Sequence, residues 1–487
     1  MLYRQKFDTF IRIYDDIGYI TNKGDYGDRV VDSSGAVFLK AISRKPKTLQ
    51  EICEEIANNF IDVFSADVMN DVVEFFSILE QDGFIVSGET ENELDRKDVR
   101  FSYSALNPKT KKTDFTPIIQ RAVRSTQNFL DDHFKGKPHL TSIQIELTSR
   151  CNERCVHCYI PHKNKLNDIE PALFYDVLDQ CKGMGILALT LSGGEPMLHK
   201  NFCDFLRKAK EYDFSINILS NLTLLNDEII KEMKENRLSS VQVSLYSMNP
   251  EIHDSITQLK GSFYKTRDNI LRLIENDIPL QISCPTMKQN KDCFADVLRW
   301  AHEHKVRAET DFIMMARYDH STDNLDNRLN LDEVEKIINE IIEYNPHYQE
   351  ELLKTDFGKA VSQDTGNDIV CGVCVASICM VANGNVYPCA GWQDYVCGNV
   401  YDTPLKKIWE KSPKVQYLRS LRKKDFPECS SCIEKAFCAM CMVRNANENP
   451  EGDPLRINKH FCKVAALNRK IVLDWKQKKS AAIAYPT

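Results

Sequence analysis

Three closely spaced cysteines are the residues of this chain best suited to hold a reactive cofactor. Cys151, Cys155 and Cys158 are separated by three and then two residues, directly after the apolar stretch 141–147. Cysteine thiolates are the usual ligands of iron–sulfur clusters. Three thiolates on one short loop can bind three irons of a four-iron cluster and leave the fourth iron open. The spacing therefore predicts a cluster with one iron that lacks a protein ligand.

A structural zinc site is the alternative interpretation of this triad. Zinc usually takes four Cys or His ligands, and His157 could supply the fourth. His157 is directly adjacent to Cys158, however, and neighbouring side chains rarely converge on one tetrahedral ion. The sequence favours the iron–sulfur interpretation.

The motif Cys151-Asn-Glu-Arg-Cys-Val-His-Cys158 resembles the signature of the radical S-adenosylmethionine (SAM) enzymes. The resemblance implies that Cys151, Cys155 and Cys158 hold the cluster that cleaves SAM. Its open iron would chelate the amino and carboxylate groups of SAM, and one electron would release a 5′-deoxyadenosyl radical. In that family the position of His157 holds a ring that flanks the adenine.

Further polar residues follow the later strand-like segments and match SAM-contacting positions of the same family. Two glycines in Ser192-Gly-Gly-Glu-Pro196 let the backbone approach a ligand closely, because they carry no Cβ. The resemblance assigns to the SAM pocket Ser192, Gly193, Gly194, Glu195, Ser220, Asn221 and Ser244. Four residues at or beyond the ends of the fifth and sixth segments could face adenosine or substrate: Lys288, Asn290, Asp311 and Arg317.

A second group of cysteines lies in the C-terminal part, which holds ten of the eighteen in the chain. The arrangement resembles the SPASM extension of some radical SAM enzymes, which binds two auxiliary four-iron clusters. The resemblance implies an outer cluster on Cys429, Cys432, Cys438 and Cys462. It implies an inner cluster on Cys371, Cys389 and Cys441, with Cys374 or Cys379 as fourth ligand or with an open iron.

One spacing departs from that family pattern. The last two cysteines of the quartet, Cys438 and Cys441, are separated by two residues, whereas three is usual. A zinc knuckle on the quartet 429–441 is the alternative, because two-residue spacings also suit tetrahedral zinc. The SAM-type triad upstream favours clusters that carry electrons.

Six strand-like segments alternate with helical patterns between residues 141 and 344. The predicted strands are 141–147, 187–191, 214–219, 240–245, 279–284 and 306–312. Such alternation implies parallel strands with crossover helices. We therefore predict an α/β fold, a partial (β/α)6 TIM-like barrel whose chemistry lies at the C-terminal ends of the strands. The cysteine loop leaves the first strand at that end.

Residues 1–88 are predicted to form a separate, winged-helix-like unit. Two strands flank the turn Asp15-Asp16, three helices follow, and a strand closes the unit. The pattern places Leu49, Ile52, Ile56 and Phe60 on one face of the second helix, and Val68, Val72, Phe75 and Leu79 on one face of the third. The element order resembles the recognition element of maturases that act on ribosomally made peptides (RiPPs). A DNA-binding winged helix is the alternative, but the acidic third helix suits phosphates poorly.

The remaining boundaries follow from these units. Residues 89–140 are predicted to be a linker that ends in a bridging helix over 117–134. The radical SAM core is predicted over 141–345 and the SPASM domain over 346–487.

Length, charge and composition restrict the class of protein. The 487 residues predict two to four domains, and the net charge of −7 gives no basic excess for nucleic acid. The chain begins without an apolar signal-peptide core, and nowhere do eighteen apolar residues run together. We therefore expect a cytoplasmic protein with no membrane partner. In such a compartment, eighteen cysteines indicate metal binding rather than disulfides.

The combination resembles a radical SAM/SPASM peptide maturase over nearly the whole chain. The resemblance implies SAM, three [4Fe-4S] clusters, a precursor peptide whose leader binds residues 1–88, and a low-potential electron donor such as flavodoxin or ferredoxin. The expected product is an intramolecular thioether between a cysteine and a carbon. A carbon–carbon crosslink and formylglycine formation in a sulfatase are alternatives. A non-catalytic peptide-binding iron–sulfur protein is the alternative of another class.

Overall fold

The fold is built around one continuous mixed sheet. The structure is a computed structural model, and it describes residues 1–22, 28–103, 134, 137–164, 167–236, 238–363, 366–438 and 440–484. Within these residues, nine strands form a sheet in the order β12-β11-β10-β9-β8-β7-β13-β14-β15. The pairs from β12 to β13 are parallel, and the last two pairs are antiparallel.

The six predicted barrel strands are all present. They are β7 Ser142–Thr148, β8 Ala188–Gly193, β9 Ser215–Ser220, β10 Leu238–Ser244, β11 Leu280–Ser283 and β12 Arg307–Glu309. The helices of this region are α5 Pro171–Gly183, α6 Phe202–Glu211, α7 Asp227–Glu235, α8 Pro250–Thr257, α9 Ser262–Glu275, α10 Phe294–Glu303 and α11 Leu331–Tyr344. The partial barrel is thus confirmed, although the sixth strand is shorter than the predicted 306–312 because it ends at Glu309.

Alternating apolar residues hold the helices against the sheet. Ile143, Ile145, Leu189 and Leu191 are at most 1% exposed. Burying one such side chain stabilises the fold by roughly 1.5–3 kcal/mol. These residues fix the register of β7 and β8 and therefore the position of the loops that follow them.

The N-terminal unit contains two three-stranded sheets, ordered β5-β1-β6 and β2-β3-β4 within the described residues. Its strands are β1 Leu2–Gln5, β2 Thr9–Tyr14, β3 Ile17–Asn22, β4 Asp28–Val31, β5 Lys47–Thr48 and β6 Ile85–Gly88. Its helices are α1 Ser33–Ala41, α2 Leu49–Ala57 and α3 Ser65–Gln81, followed by α4 Glu91–Lys97. The predicted hairpin is confirmed, since Tyr14 pairs with Ile17 across the turn.

One predicted apolar position of this unit, Phe60, is wrong. Phe60 lies beyond the end of α2 and is exposed, because the helix stops at Ala57. On α3 the fully buried ring is Phe76, and Phe75 packs at the edge of the core. Thr48 does cap α2 as predicted, in a capping box with Glu51. The predicted bridging helix over 117–134 lies outside the described residues, apart from its last residue.

The N-terminal unit docks on the barrel at the end opposite the cysteine loop. Arg12 donates from Nε to the carbonyl of Ile186 at 3.0 Å and from Nη2 to that of Asp213 at 2.7 Å. Arg44 donates to the Asp213 carboxylate at 2.6 Å. Ile186 and Asp213 precede β8 and β9, so this contact lies at the N-terminal ends of the strands.

The C-terminal part extends the barrel sheet instead of forming an independent body. Its strands are β13 Ser377–Met380, β14 Asn385–Tyr387 and β15 Gly398–Asn399. Its helices are α12 Pro346–Lys354, α13 Phe357–Gln363, α14 Leu405–Lys411, α15 Pro413–Ser420, α16 Pro427–Ser430, α17 Met442–Asn447 and α18 Lys459–Ala484. β13 pairs with β7 in parallel, with Cys379 opposite Gln144. No helix of the described chain combines the length and apolar character needed to cross a membrane.

Candidate active site

The three cysteines of the SAM-type motif lie together on the loop that follows β7. The Cys155 thiol donates to Glu153 Oε2 at 3.3 Å, and the backbone N–H of Glu153 donates to Cys151 Sγ at 3.4 Å. Burial raises the pKa of Cys155, and Glu153, Cys158 and Cys151 raise it further. Three thiols are therefore close enough to influence one another, at the barrel end predicted from the sequence.

Arg317 holds the far end of this loop. Its Nη1 donates to the Cys158 carbonyl at 2.7 Å, and it forms two hydrogen bonds of 2.9 Å with the Asp323 carboxylate. The side chain is buried behind the loop. The structure thus places this predicted cofactor residue against the backbone that carries the last cysteine.

Gly193 and Gly194 pack against the backbone that leads into the cysteine loop. A Cβ on Gly193 would stand 2.2 Å from the Thr148 carbonyl oxygen, and one on Gly194 would stand 2.2 Å from that of Arg150. The Gly194 N–H donates to the Thr148 carbonyl at 2.8 Å. Glycine is required here because the two chain segments touch, a reason that the sequence alone did not reveal.

Glu195 joins the ends of β8 and β9. Its carboxylate accepts hydrogen bonds from the Ser220 hydroxyl at 2.8 Å, the Asn221 N–H at 2.8 Å and the Met197 N–H at 3.1 Å. The side chain is fully buried, and burial raises its pKa to about 7. Asn221 in turn donates to Asn152 Oδ1 at 3.0 Å, which connects this network to the cysteine loop.

His157 lies beside a tyrosine that the sequence analysis did not select. Its Nε2 is 3.4 Å from the Tyr246 hydroxyl, and the two rings meet edge to face with centroids 5.1 Å apart. Burial lowers the pKa of His157 to about 4, so the ring is neutral. Its buried Nδ1 has no hydrogen-bond partner within the described chain. Tyr246 follows Ser244, the end of β10, by two residues, and that position was its only sequence signal.

The other predicted contact residues have defined partners. Ser192 accepts a hydrogen bond from Gln144 at 2.7 Å. Asn290 is buried and donates to the Tyr246 carbonyl at 2.8 Å, while Lys288 Nζ donates to the Asp326 carbonyl at 2.8 Å. Asp311 accepts a hydrogen bond from the Ile313 N–H at 2.7 Å. Asn290 therefore lies at the rim of the barrel, where it is hydrogen-bonded to Tyr246, whereas Lys288 and Asp311 are hydrogen-bonded to backbone groups of other residues.

The inner auxiliary cysteines also lie together. Burial raises the pKa of Cys389 to about 11, and Cys441 and Cys371 add to the shift. The pKa of Cys379 rises as well, through burial and then through Glu146 and Cys389. Cys379 therefore lies beside the inner group.

Cys374 has a different neighbour. The interaction that most raises its pKa is a hydrogen bond with Cys397, and both side chains are buried. Arg419 donates to the Cys374 carbonyl at 2.5 Å. Cys374 also contributes to the raised pKa of Cys371, so each candidate for the fourth inner ligand neighbours one member of the inner group.

The outer group is complete. Burial raises the pKa of Cys429 to about 11, followed by contributions from Cys462, Cys438 and Cys432. These are the four cysteines that the resemblance assigned to the outer cluster. Thiolate sets of three and four suit iron–sulfur clusters. Across the described ranges, no group of three or more His, Cys, Asp or Glu side chains could hold a single metal ion.

Buried polar residues occupy the space between the first and second groups of cysteines. Glu146 lies on β7 at 2% exposure and accepts a hydrogen bond from Gln393 at 2.9 Å. Burial raises its pKa to about 7. The pKa of the Tyr159 phenol is raised by burial, then by Glu146, Cys158, Cys379 and Cys389. Tyr159 thus lies between the SAM-type loop and the inner group.

Three parts of the chain match known domain families. Residues 145–301 match the radical SAM superfamily, and residues 371–433 match SPASM, an iron–sulfur cluster-binding domain. Residues 26–85 match coenzyme PQQ synthesis protein D (PqqD). The chain therefore contains these three domains, which confirms the predicted use of SAM and of SAM-binding and auxiliary iron–sulfur clusters.

Curated relatives differ in the activity for which they are named. The chain is 27% identical to an AdoMet-dependent heme synthase of Methanosarcina barkeri (strain Fusaro / DSM 804), over 62% of this chain and 91% of the relative. It is 25% identical to the antilisterial bacteriocin subtilosin biosynthesis protein AlbA of Bacillus subtilis (strain 168), over 74% of this chain and 79% of the relative.

A solved structure shares the architecture of almost the whole chain. The crystal structure of Streptococcus suis SuiB bound to the precursor peptide SuiA superposes with a TM-score of 0.57 at 16% identity. The match covers 94% of this chain and 99% of SuiB. At this identity the likeness shows the fold.

Proposed function

We propose that this chain, a radical SAM enzyme with SPASM and PqqD domains, is a peptide maturase that forms a thioether within a ribosomally made precursor. The pairing of β13 with β7 carries the proposal, because it puts Cys379, a neighbour of the inner cysteine Cys389, in the same sheet as the strand that leads into the SAM-type loop. A substrate at the barrel mouth then meets both groups. The docked N-terminal unit supplies a site for the rest of the peptide.

The match to PqqD favours a peptide rather than a porphyrin as the substrate. A leader segment binds residues 1–88 and the core segment reaches the barrel mouth, which makes the second contact intramolecular and raises its effective concentration. AlbA is named for the biosynthesis of a bacteriocin, and SuiB was solved with a bound precursor peptide. Both are consistent with a peptide substrate. The heme synthase relatives make haem chemistry the competing outcome.

The residues that hold the cofactors follow from the three cysteine groups. Cys151, Cys155 and Cys158 hold the SAM-binding cluster, and the outer four cysteines hold one auxiliary cluster. Cys371, Cys389 and Cys441 hold the inner one, with Cys379 as its fourth ligand. When bound, SAM and its cluster would supply a 5′-deoxyadenosyl radical, and an auxiliary cluster would accept one electron.

The roles of the chain's own residues are to position and enclose. Arg317 and the glycine pair fix the cysteine loop from both sides. The family resemblance assigns SAM contacts to His157 and Asn221. In the peptide, a C–H and an S–H bond break and a C–S bond forms, so the product has two hydrogens fewer. One hydrogen leaves as an atom, which would convert the 5′-deoxyadenosyl radical to 5′-deoxyadenosine, and the other leaves as a proton with one electron, which an auxiliary cluster would accept.

Mass spectrometry of the reacted peptide tests the proposal. The reconstituted enzyme, SAM, a strong reductant and the precursor peptide should give a product that has lost two hydrogens and no longer reacts with iodoacetamide. The same mass loss with free thiols retained would indicate a carbon–carbon crosslink. No change in the peptide, together with turnover of a porphyrin, would exclude a peptide maturase.

A further inference from the structure

We propose that an exposed lysine face of α18 binds an acidic one-electron carrier protein, which takes up the electron that the auxiliary clusters receive. The lysine face consists of Lys463, Lys470 and Lys478. The inference rests on the one-electron step of the proposed function, and it names the kind of partner that completes this step.

The helix α18 is strongly basic in a chain that is acidic overall. Between Lys459 and Ala484 it has seven Lys or Arg residues and one acid, Asp474, whereas the whole chain has a net charge of −7. The three lysines of the face are exposed. Their spacings of seven and eight residues each correspond to about two helical turns, so the three ammonium groups lie on the same side of the helix.

The cations of this face are available to a partner. Within the described chain, none of the three forms an ion pair, whereas Lys459 on the same helix is paired with Glu428. Lys476, on another side of α18, donates to the Thr355 carbonyl at 2.5 Å. The helix therefore uses some of its cations to hold the fold and leaves the lysine face open.

The same helix lies along the outer group of cysteines. It carries Cys462, which belongs to that group. Asn468 Nδ2 donates to the Phe437 carbonyl at 3.4 Å, and Arg469 Nε lies 3.7 Å from the Glu434 carboxylate. Both partners belong to the loop that carries the other outer cysteines. A carrier bound to the lysine face is therefore close to the outer group, and electron transfer requires such closeness because its rate falls steeply with distance.

Charge and redox chemistry together select the partner. Three unpaired lysines attract an acidic surface, and redox partners meet through small interfaces whose rate of association depends on such opposite charges. RNA and anionic lipid also attract lysines, but neither accepts an electron. In the proposed step, one electron leaves the outer cluster and reduces the oxidised carrier by one electron, and no bond forms or breaks.

The test measures electron transfer from the reduced holoenzyme to an oxidised flavodoxin of net negative charge, without peptide. Lys463→Glu, Lys470→Glu and Lys478→Glu combined should lower the second-order rate constant about tenfold at low ionic strength. The difference should vanish in about 1 M salt, where the Debye length is only about 3 Å. The affinity for the oxidised flavodoxin, measured by calorimetry, should fall in parallel.

A second triple variant provides the matched control. Lys406→Glu, Lys407→Glu and Lys411→Glu combined make the same change of charge on exposed lysines of α14. This helix lies against the barrel, because the Leu405 N–H donates to Gln180 on α5. The control should keep the wild-type rate constant. An equal loss in both triple variants would trace the effect to net charge and overturn the proposal.

Glutamine at the same three positions of α18 provides a second measurement if the glutamate variant fails to fold, and it should cause a smaller loss of rate. A wild-type rate constant in either variant, with iron content intact, overturns the proposal. Weaker binding of RNA or of anionic vesicles with an unchanged rate constant would assign the lysine face to those polyanions and also overturn it. Failure of the peptide reaction alone would affect the proposed function and leave this result untouched.

Discussion

The Thr148 carbonyl oxygen lies 2.2 Å from the point at which a Cβ on Gly193 would stand. Gly193 also has φ of +143°, a backbone conformation that other residues rarely adopt. The strand that ends at Gly193 and the strand that ends at Thr148 therefore lie so close that no Cβ fits between them. The cysteine loop begins at this contact.

Gly193→Ala should displace the cysteine loop and lower the iron content of the SAM-binding cluster. The added methyl group meets backbone atoms that cannot move aside, so we expect a loss of more than about 1 kcal/mol in stability. Iron analysis and thermal unfolding measure both effects. Gly183→Ala is the control, since nothing lies within 4 Å of its Cβ position. Full iron content in Gly193→Ala would contradict this reading of the glycine pair.

Glu146→Gln should change how stability depends on pH. Burial raises the folded pKa of Glu146 to about 7 from the ordinary glutamate value of 4.5. Its favourable contribution is therefore complete below about pH 4.5 and is lost as pH rises through 7. We expect the variant and the wild type to have the same free energy of unfolding near pH 4.5. At pH 8 the variant should be more stable by up to about 3 kcal/mol and should melt at a higher temperature. Glutamine keeps the oxygen that accepts from Gln393.

The exposed Glu303→Gln is the control for that comparison. It should leave the difference in melting temperature the same at both pH values. If the melting temperature of Glu146→Gln differed from that of the wild type by the same amount at pH 5 and pH 8, Glu146 would be ionised in the folded state at both pH values.

Cys379→Ala and Cys374→Ala should affect the inner cluster differently. Cys379 lies beside Cys389, whereas the free thiol of Cys374 is hydrogen-bonded to that of Cys397. We expect Cys379→Ala to alter the Mössbauer spectrum or the iron content, and Cys374→Ala to retain both. The reverse result would assign the fourth ligand to Cys374.

Arg12→Met should loosen the N-terminal unit without removing the SAM site. The change leaves the carbonyls of Ile186 and Asp213 without this donor, which should lower the free energy of unfolding by about 1–3 kcal/mol. We expect less modification of the full precursor, while SAM cleavage in the absence of peptide stays at the wild-type rate. Arg29→Met is the control, because Arg29 pairs with Asp82 inside the unit. Loss of SAM cleavage in Arg12→Met would place the effect at the barrel instead.

The spacer between leader and modified residue should have a minimum length. The N-terminal unit contacts the barrel at the N-terminal end of β8, a strand of six residues, and the cysteine loop lies at the C-terminal end of the strands. At about 3.3 Å per residue the peptide must cover roughly 20 Å. Deleting the spacer to fewer than about six residues should abolish modification while leader affinity, measured by fluorescence anisotropy, is retained. Modification of a peptide with no spacer would place the leader elsewhere.

Much of the cofactor chemistry could be predicted because it depends on local spacing. Cysteines of one loop, such as Cys151 and Cys158, stay close in space whatever the rest of the chain does. The same holds for Cys429 and Cys432. The helix start at Thr48 was also local, since a capping box needs only four consecutive residues.

The sequence alone determined the cysteine groups, the six parallel strands and the end of the barrel at which the chemistry lies, because periodicity and spacing act over a few residues. The tertiary structure decided that β13 joins β7, that Glu146 meets Gln393, and that Tyr246 lies beside His157. These contacts join residues separated by about ninety to more than two hundred positions. Their partners are chosen by how the apolar faces of the whole chain pack, which no short window of sequence contains.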